Sequence, residues 1–308
     1  MRTATGLFAS FLRRTKSASM IAVVLVLTAR HIPYSHAAVG EWIRDQHQCK
    51  LWDPDPKAGE SVNWTGKCIA GYATGRGVER WMNGPGEWSS SSRLVLRRGK
   101  SGGPDLGCTK TYCAESYEVN GLVIGTLTIH ADIWFTCETI KQSQCAGKEE
   151  LVFANGDYGV GPAGANDDPA GHGLKCSFKP LSCADGIWSA PKPGLMPSFQ
   201  KQKESSSDLA AAARADTLIR AFIREAKSHQ AGSALMTMAH YRDLAGPSEP
   251  SAVAIVEAKL AHQAGFDLRA LYVLTLYLKA NQPSASHYQE AFELYAKYEK
   301  AIRELQGP

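Results

Sequence analysis

The chain changes its chemistry part-way along, and that break limits what it can fold into. All seven tryptophans and all eight cysteines precede residue 190, and beyond residue 207 the only glycines are Gly232, Gly246, Gly265 and Gly307. Between the two regimes lie Ala190-Pro-Lys-Pro-Gly-Leu-Met-Pro197 and a polar run from Gln200 to Ser207. Proline disfavours helix in the residue before it, and the polar run has nothing to bury. The sequence therefore reads as residues 38–190 and 208–308 in separate domains, joined by a linker over 191–207.

Residues 1–37 read as an export signal. A basic stretch with Arg2, Arg13, Arg14 and Lys16 precedes the apolar run Met20 to Ala29, and Ser35-His36-Ala37 offers small side chains for cleavage. Those 37 residues hold five basic side chains (with Arg30) and no acid, so removing them takes the formal charge from +4 to −1. A nucleic-acid partner, which needs a concentrated basic face, is not expected. Nor is a membrane span in the mature chain: the longest apolar run, Leu268 to Leu278, is short and carries Arg269, Tyr272 and Tyr277. The expected location is periplasmic or secreted, in a bacterial envelope.

An even number of cysteines in an exported chain argues for disulfides. The simplest pairing is local: Cys49 with Cys68, Cys108 with Cys113, Cys137 with Cys145, and Cys176 with Cys183. No Cys-x-x-Cys pair exists, and neither a metal nor a cofactor is expected.

The first half reads as β. Arg93 to Arg97, Gly121 to Ile129 and Glu150 to Phe153 are short runs rich in β-branched residues, bounded by glycine and polar turns. The second half reads as five helices, over Asp208 to Ser228, Ser233 to Ala245, Ser248 to Ala264, Leu268 to Ala280, and Ser286 to about Leu305. Ser248, Asp267 and the Ser286/Gln289 pair are the expected N-terminal caps, and Gly265 the expected left-handed C-terminal stop. The fold class is thus α+β: a disulfide-stapled antiparallel β domain, then an all-α helical-hairpin domain. Helix starts near 231, 249, 267 and 285 recur at similar intervals, which resembles tetratricopeptide-type arrays in architecture.

One segment carries a family resemblance. Trp64-Thr-Gly66-Lys-Cys68 is followed by Gly71-Tyr-Ala-Thr-Gly75-Arg-Gly77 and by Trp81. Over residues 46–84 this resembles the MORN-like repeat of exported bacterial proteins. The resemblance implies two strands joined through Gly71, Gly75 and Gly77, and a structural or interaction module rather than a reaction.

Trp52, Asp53, Asp55 and Trp64 form the candidate ligand contact. Aromatic rings stack on pyranose faces, and carboxylates accept sugar hydroxyls. The plainer expectation puts Trp64 and Trp81 in the core and packs Trp52 under its proline-rich loop. Asn155-Gly-Asp157 to Asn166-Asp167-Asp168 is oxygen-rich but lacks the EF-hand spacing, so it reads as a solvated turn. No His-Glu-x-x-His appears and no catalytic residue is nominated. The expected function is non-catalytic: a scaffold or adaptor that binds an envelope protein through its helices. A glycan-binding protein is the alternative, and an envelope hydrolase stands below it.

Overall fold

A computed structural model describes residues 40–84, 87–119, 122–141, 144–153, 155–164, 168–189, 197–201 and 208–306. The expected signal, and all of the expected linker except 197–201, lie outside those residues. Four short strands come first: β1 (Glu41–Arg44), β2 (Lys50–Asp53), β3 (Ser61–Trp64) and β4 (Lys67–Ile69). The antiparallel meander that follows is β5 (Tyr72–Met82), β6 (Trp88–Arg97), β7 (Lys100–Cys108), β8 (Tyr112–Val119), β9 (Leu122–His130), β10 (Ile133–Lys141), β11 (Gln144–Val152), β12 (Tyr158–Pro162), β13 (Gly171–Phe178), β14 (Leu181–Ser189) and β15 (Ser198–Lys201). Each meander strand pairs with the one before it, and β2, β3 and β4 all join β5, β2 in parallel.

Strand β15 lies inside the stretch expected as linker. Phe199 there stacks near Trp188 at a ring separation of 4.8 Å, so the segment does have an apolar face to bury. The preceding prolines hide that strand from a composition argument.

Five helices complete the chain: α1 (Asp208–Lys227), α2 (Ala231–Ala245), α3 (Ser251–Ala264), α4 (Asp267–Ala280) and α5 (Tyr288–Gln306). No helix among the described residues is long and apolar enough to cross a membrane. Gly265 stops α3 in the left-handed conformation, at φ +94°, as its position predicts. The expected side-chain caps do not form. Ser248 bonds back to the Ala245 carbonyl, and Ser286 accepts the Tyr277 hydroxyl on its carbonyl. The orphan amides of α4 are met from the sheet instead, because Glu115 on β8 accepts from Leu268 and Arg269 N–H at 2.8 and 3.1 Å.

That contact is one of several that fuse sheet and helices. One apolar cluster runs from Leu106, Leu127, Trp134 and Val152 on the sheet to Ile255, Leu268, Leu271 and Tyr272 on the helices. Arg242 is buried between the layers, bidentate to Glu257 at 2.9 and 3.2 Å and bonded to Glu249 at 2.6 Å. Tyr272 donates to Glu150 at 2.8 Å, and Lys148 pairs with Asp243. The separate domains expected from composition thus share a core.

All four cysteine pairings match the local scheme, and no described cysteine is free. Cys108 faces Cys113 directly across β7 and β8, and Cys176 faces Cys183 across β13 and β14. Four disulfides fit an oxidising, extracellular or periplasmic setting.

Candidate ligand-binding cleft

Strand pairing sorts the β5–β7 side chains onto two faces. Val78, Arg93 and Leu106 lie opposite one another in register and turn toward the helices, where Val78 and Leu106 join the main core and Arg93 pairs with Asp267. Glu79 and Trp81 alternate with Val78, and Leu94 sits opposite Asp105, so these four residues share the other face. That face carries an open cleft of about 320 Å³. Leu94 and Leu96 form its buried floor, and Trp52 and Trp81 line its sides.

The loop after β2 brings acids to the same place. Asp53 accepts the Asp55 N–H on Oδ1 at 2.8 Å, a turn that holds Asp55 and Pro54 at the rim. Glu60 accepts the Lys57 N–H at 3.2 Å and closes that loop. Asp53 is only 6% exposed, yet its Oδ2 meets no hydrogen-bond donor among the described residues. Asp105 Oδ1 is likewise buried and unpartnered. Both oxygens are covered by protein with almost no accessible surface, so it is the remainder of each side chain that lines the cleft.

Their surroundings shift the acids together. Burial raises Glu79 to about 7, with Asp105 and Asp53 adding to the rise and the Trp81 indole opposing it. Burial also lifts Asp105 to about 6. Glu60 is raised, first by burial and then by the Asp53 carboxyl, through its charge and a side-chain hydrogen bond, while the Lys57 N–H and ammonium oppose the rise.

Three of the four sequence candidates meet here: Trp52, Asp53 and Asp55. Trp64 does not. It is buried in the cluster with Cys49, Leu51 and Val62, its indole N–H donates to the Lys67 carbonyl at 3.1 Å, and its ring covers Gly66 and Gly77. The burial reading of Trp64 is therefore the one observed. Trp52 stands edge-on to Trp42, with the Lys100 ammonium 4.5 Å from its ring centre. The repeat glycines divide as well. Gly71 sits in the β4–β5 turn with Ala70, both at positive φ, whereas Gly75 and Gly77 lie within β5. Gly77 is needed for close approach, since a Cβ there would come within 2.5 Å of Trp64.

Sequence reasoning alone does not find Trp81, Glu79 and Asp105 as site residues. They come from different strands, and only the pairing of β5, β6 and β7 aligns them. One short pattern passes unnoticed too: Gly99-Lys-Ser101-Gly-Gly103 has the spacing of a serine nucleophile elbow, and Ser101 lines the cleft. An elbow needs a strand-to-helix turn, and here the segment runs from the β6–β7 turn into β7, so that geometry is missing.

Two smaller spaces compete with the cleft. One, about 80 Å³, lies between β9–β11 and helices α2 and α4 and is lined by the Arg242 network. The other, about 290 Å³, lies at the α3–α4 junction, where Arg93 is already committed to Asp267. In the oxygen-rich loop, Asp157 pairs with Lys175 at 3.3 Å, and 165–167 lie outside the described residues. No group of three His, Cys, Asp or Glu among the described residues is arranged to hold a metal ion. No family model matches the chain, and no curated protein matches it.

Proposed function

We propose that this is an exported saccharide-binding protein whose ligand lies in the cleft on the helix-free face of the sheet. The observation that carries the reading is the convergence of Trp52 and Trp81 with the acids Asp53, Asp55, Glu79 and Asp105 around one open cleft. Indole rings pack on the apolar faces of sugar rings, and desolvated carboxylates select hydroxyl donors. About 320 Å³ lies within the range of small-ligand clefts. The four disulfides support placement outside the cytosol.

The adaptor reading has less to draw on. Tyr241, Tyr272, Tyr277 and Tyr298 are buried, so they do not line a free groove. The exposed helical hydrophobics Ile223, Met236, Val256 and Phe292 come from four different helices.

Calorimetric titration of the oxidised protein with cell-wall-type oligosaccharides tests the proposal. Binding that falls about tenfold or more in Trp81→Ala is expected, as stacking contacts of roughly this size are lost. A folded protein that binds none of them rejects it.

A hydrolytic reading has one support, the burial that raises Glu79 to about 7. A carboxyl held at about 7 beside other carboxylates is suited to donate a proton to a glycosidic oxygen. Release of new reducing ends, abolished in Glu79→Gln while binding persists, would support it. Binding without turnover would leave a binding protein.

A further inference from the structure

Pairing also sorts the side chains of β1, β2, β4 and the start of β5. Trp42 lies opposite Trp52, Arg44 opposite Lys50, Lys50 beside Tyr72, and Ile69 opposite Tyr72, with Lys67 two residues before Ile69. These residues share one side, while Ile43, Leu51 and Ala73 alternate to the other and join a buried cluster. The β6–β7 turn is tied to the same place. Gly99 N–H donates to the Ala73 carbonyl, and the Gly99 carbonyl accepts from Trp52 N–H, both at 2.8 Å. That sets Arg98 beside Tyr72 and Lys100 beside Trp52.

Arg44, Lys50, Lys67, Arg98 and Lys100 thus gather on one side of these strands. Lys50 and Arg98 each lie 5.4 Å from the Tyr72 ring centre, and Lys100 lies 4.5 Å from that of Trp52 and 5.8 Å from that of Trp42. Rings hold these three cations, and among the described residues no carboxylate pairs with any of the five. The neighbouring acids are turned away or used. Glu41 and Asp53 alternate to the opposite side, and Asp45 is buried, accepting from His47 and Cys49 N–H. Residues 38–308 sum to a formal charge of −1, so the positive excess is local. Like charges gathered without counter-charge suit an anionic partner.

The same side exposes apolar surface. Trp42 is 40% exposed and Ile69 56%, and Trp42 stands edge-on to both Trp52 and Tyr72 with ring centres 5.3 Å apart. A hydrophilic polyanion gains nothing from an exposed isoleucine, and the cations over Tyr72 stand where a sugar ring would stack. A bilayer surface uses both features. Trp and Tyr favour the headgroup boundary, an aliphatic side chain reaches the acyl chains, and basic side chains meet lipid phosphates. We propose that this side of the sheet docks on a bilayer rich in anionic phospholipid. Trp42, Ile69 and Tyr72 enter the headgroup boundary, and the five cations around them hold the lipid phosphates. The docking surface is independent of the saccharide reading, since neither Trp42, Ile69 nor Tyr72 lines the cleft.

The test sediments the oxidised protein from residue 38 onward with vesicles, because the apolar run in residues 1–37 would enter a bilayer by itself. Vesicles of phosphatidylcholine are compared with vesicles that also contain phosphatidylglycerol. The anionic vesicles are expected to bind at least about tenfold more tightly, and the binding to weaken as salt is added. Lys50→Gln and Arg98→Gln are each expected to cut that affinity about fivefold. Ile69→Ser changes no charge on an exposed strand and is expected to cut it about fivefold too, through lost apolar contact. Equal binding to the two kinds of vesicle, or binding to neither, overturns the proposal. So does dextran sulfate bound as tightly as the anionic vesicles with Ile69→Ser without effect, which would make the partner a soluble anionic polymer.

Discussion

Glu115 shows how a single residue joins the two halves of the chain. Its carboxyl is buried on β8 and receives the first amides of α4, 153 and 154 positions away in sequence. Burial drives its pKa up to about 8, and the two N–H donors only partly offset this. The side chain is therefore mostly neutral at pH 7; an amide matches that charge but accepts with one oxygen where Glu115 uses both. Glu115→Gln strands one of the two buried amides and is expected to cost about 1–2 kcal/mol at pH 7, whereas Glu115→Ala strands both and costs about 2–3 kcal/mol or more. The folded pKa lies above the unfolded value, so the native state holds more protons between about 4.5 and 8. The stability this group provides is complete below that window and is lost as pH rises through it. Urea unfolding across the window should decline less steeply in Glu115→Gln than in the natural protein. An unchanged slope would show that Glu115 does not titrate there.

Strands, helices and disulfides were the legible elements, because each depends on residues close together in sequence. The alternation in Gly121 to Ile129 and the stripe in Leu268 to Ala280 each led to the right element. The four cysteine pairs are each bridged across a short local span, so nearest-neighbour pairing sufficed. What stayed hidden was long-range: Glu115 as the cap of α4, strand β15 within the proline-rich stretch, and the register that lines up Glu79, Trp81 and Asp105. Of the cleft, only Trp52, Asp53 and Asp55 could be read locally, since they are consecutive or nearly so. The glycines of the repeat-like segment give a test at this scale. Gly77 lies under Trp64 with the Gly66 backbone also close, and Gly77→Ala is expected to lower stability by about 1–3 kcal/mol through overpacking. Gly232 in α2 has open space where a Cβ would go, and Gly232→Ala is expected to raise stability by about 0.4–1 kcal/mol. Thermal melts of the two variants should shift in opposite directions. Equal shifts would mean that the Trp64 contact does not decide the Gly77 position.

At the scale of the whole molecule, the helices form a second layer on the sheet. Helix α4 buries nine residues from Asp267 to Tyr277, and its neighbours include Leu106, Leu127 and Trp134 of the sheet. Polar contacts follow the same boundary: Arg93 with Asp267, Lys148 with Asp243, and Glu150 with both Tyr272 and Arg242. Cutting the chain at about residue 207 would expose the apolar face of α4 and leave Arg242 without one of its three acids. A buried charge that loses a partner is costly, and exposed Leu and Tyr surface loses about 1.5–3 kcal/mol per large side chain. The isolated 208–308 segment is therefore expected to be helical by far-ultraviolet dichroism yet to melt without a cooperative transition and to bind a hydrophobic dye. The complete oxidised protein should melt in one transition that follows both sheet and helix signals. Two separate transitions in the complete protein, or a sharp melt of the isolated segment, would show that the shared core contributes little and that the break in composition marks a true domain boundary. The cleft depends on the same arrangement: β5, β6 and β7 carry Val78, Arg93 and Leu106 on one face and Glu79, Leu94 and Asp105 on the other. Helix docking on the first face fixes the strands whose second face carries the cleft proposed as the ligand site. Leu268→Ala, deep in the shared core and remote from the cleft, should therefore weaken saccharide binding in proportion to the fraction of protein it unfolds, with native affinity retained in the folded remainder.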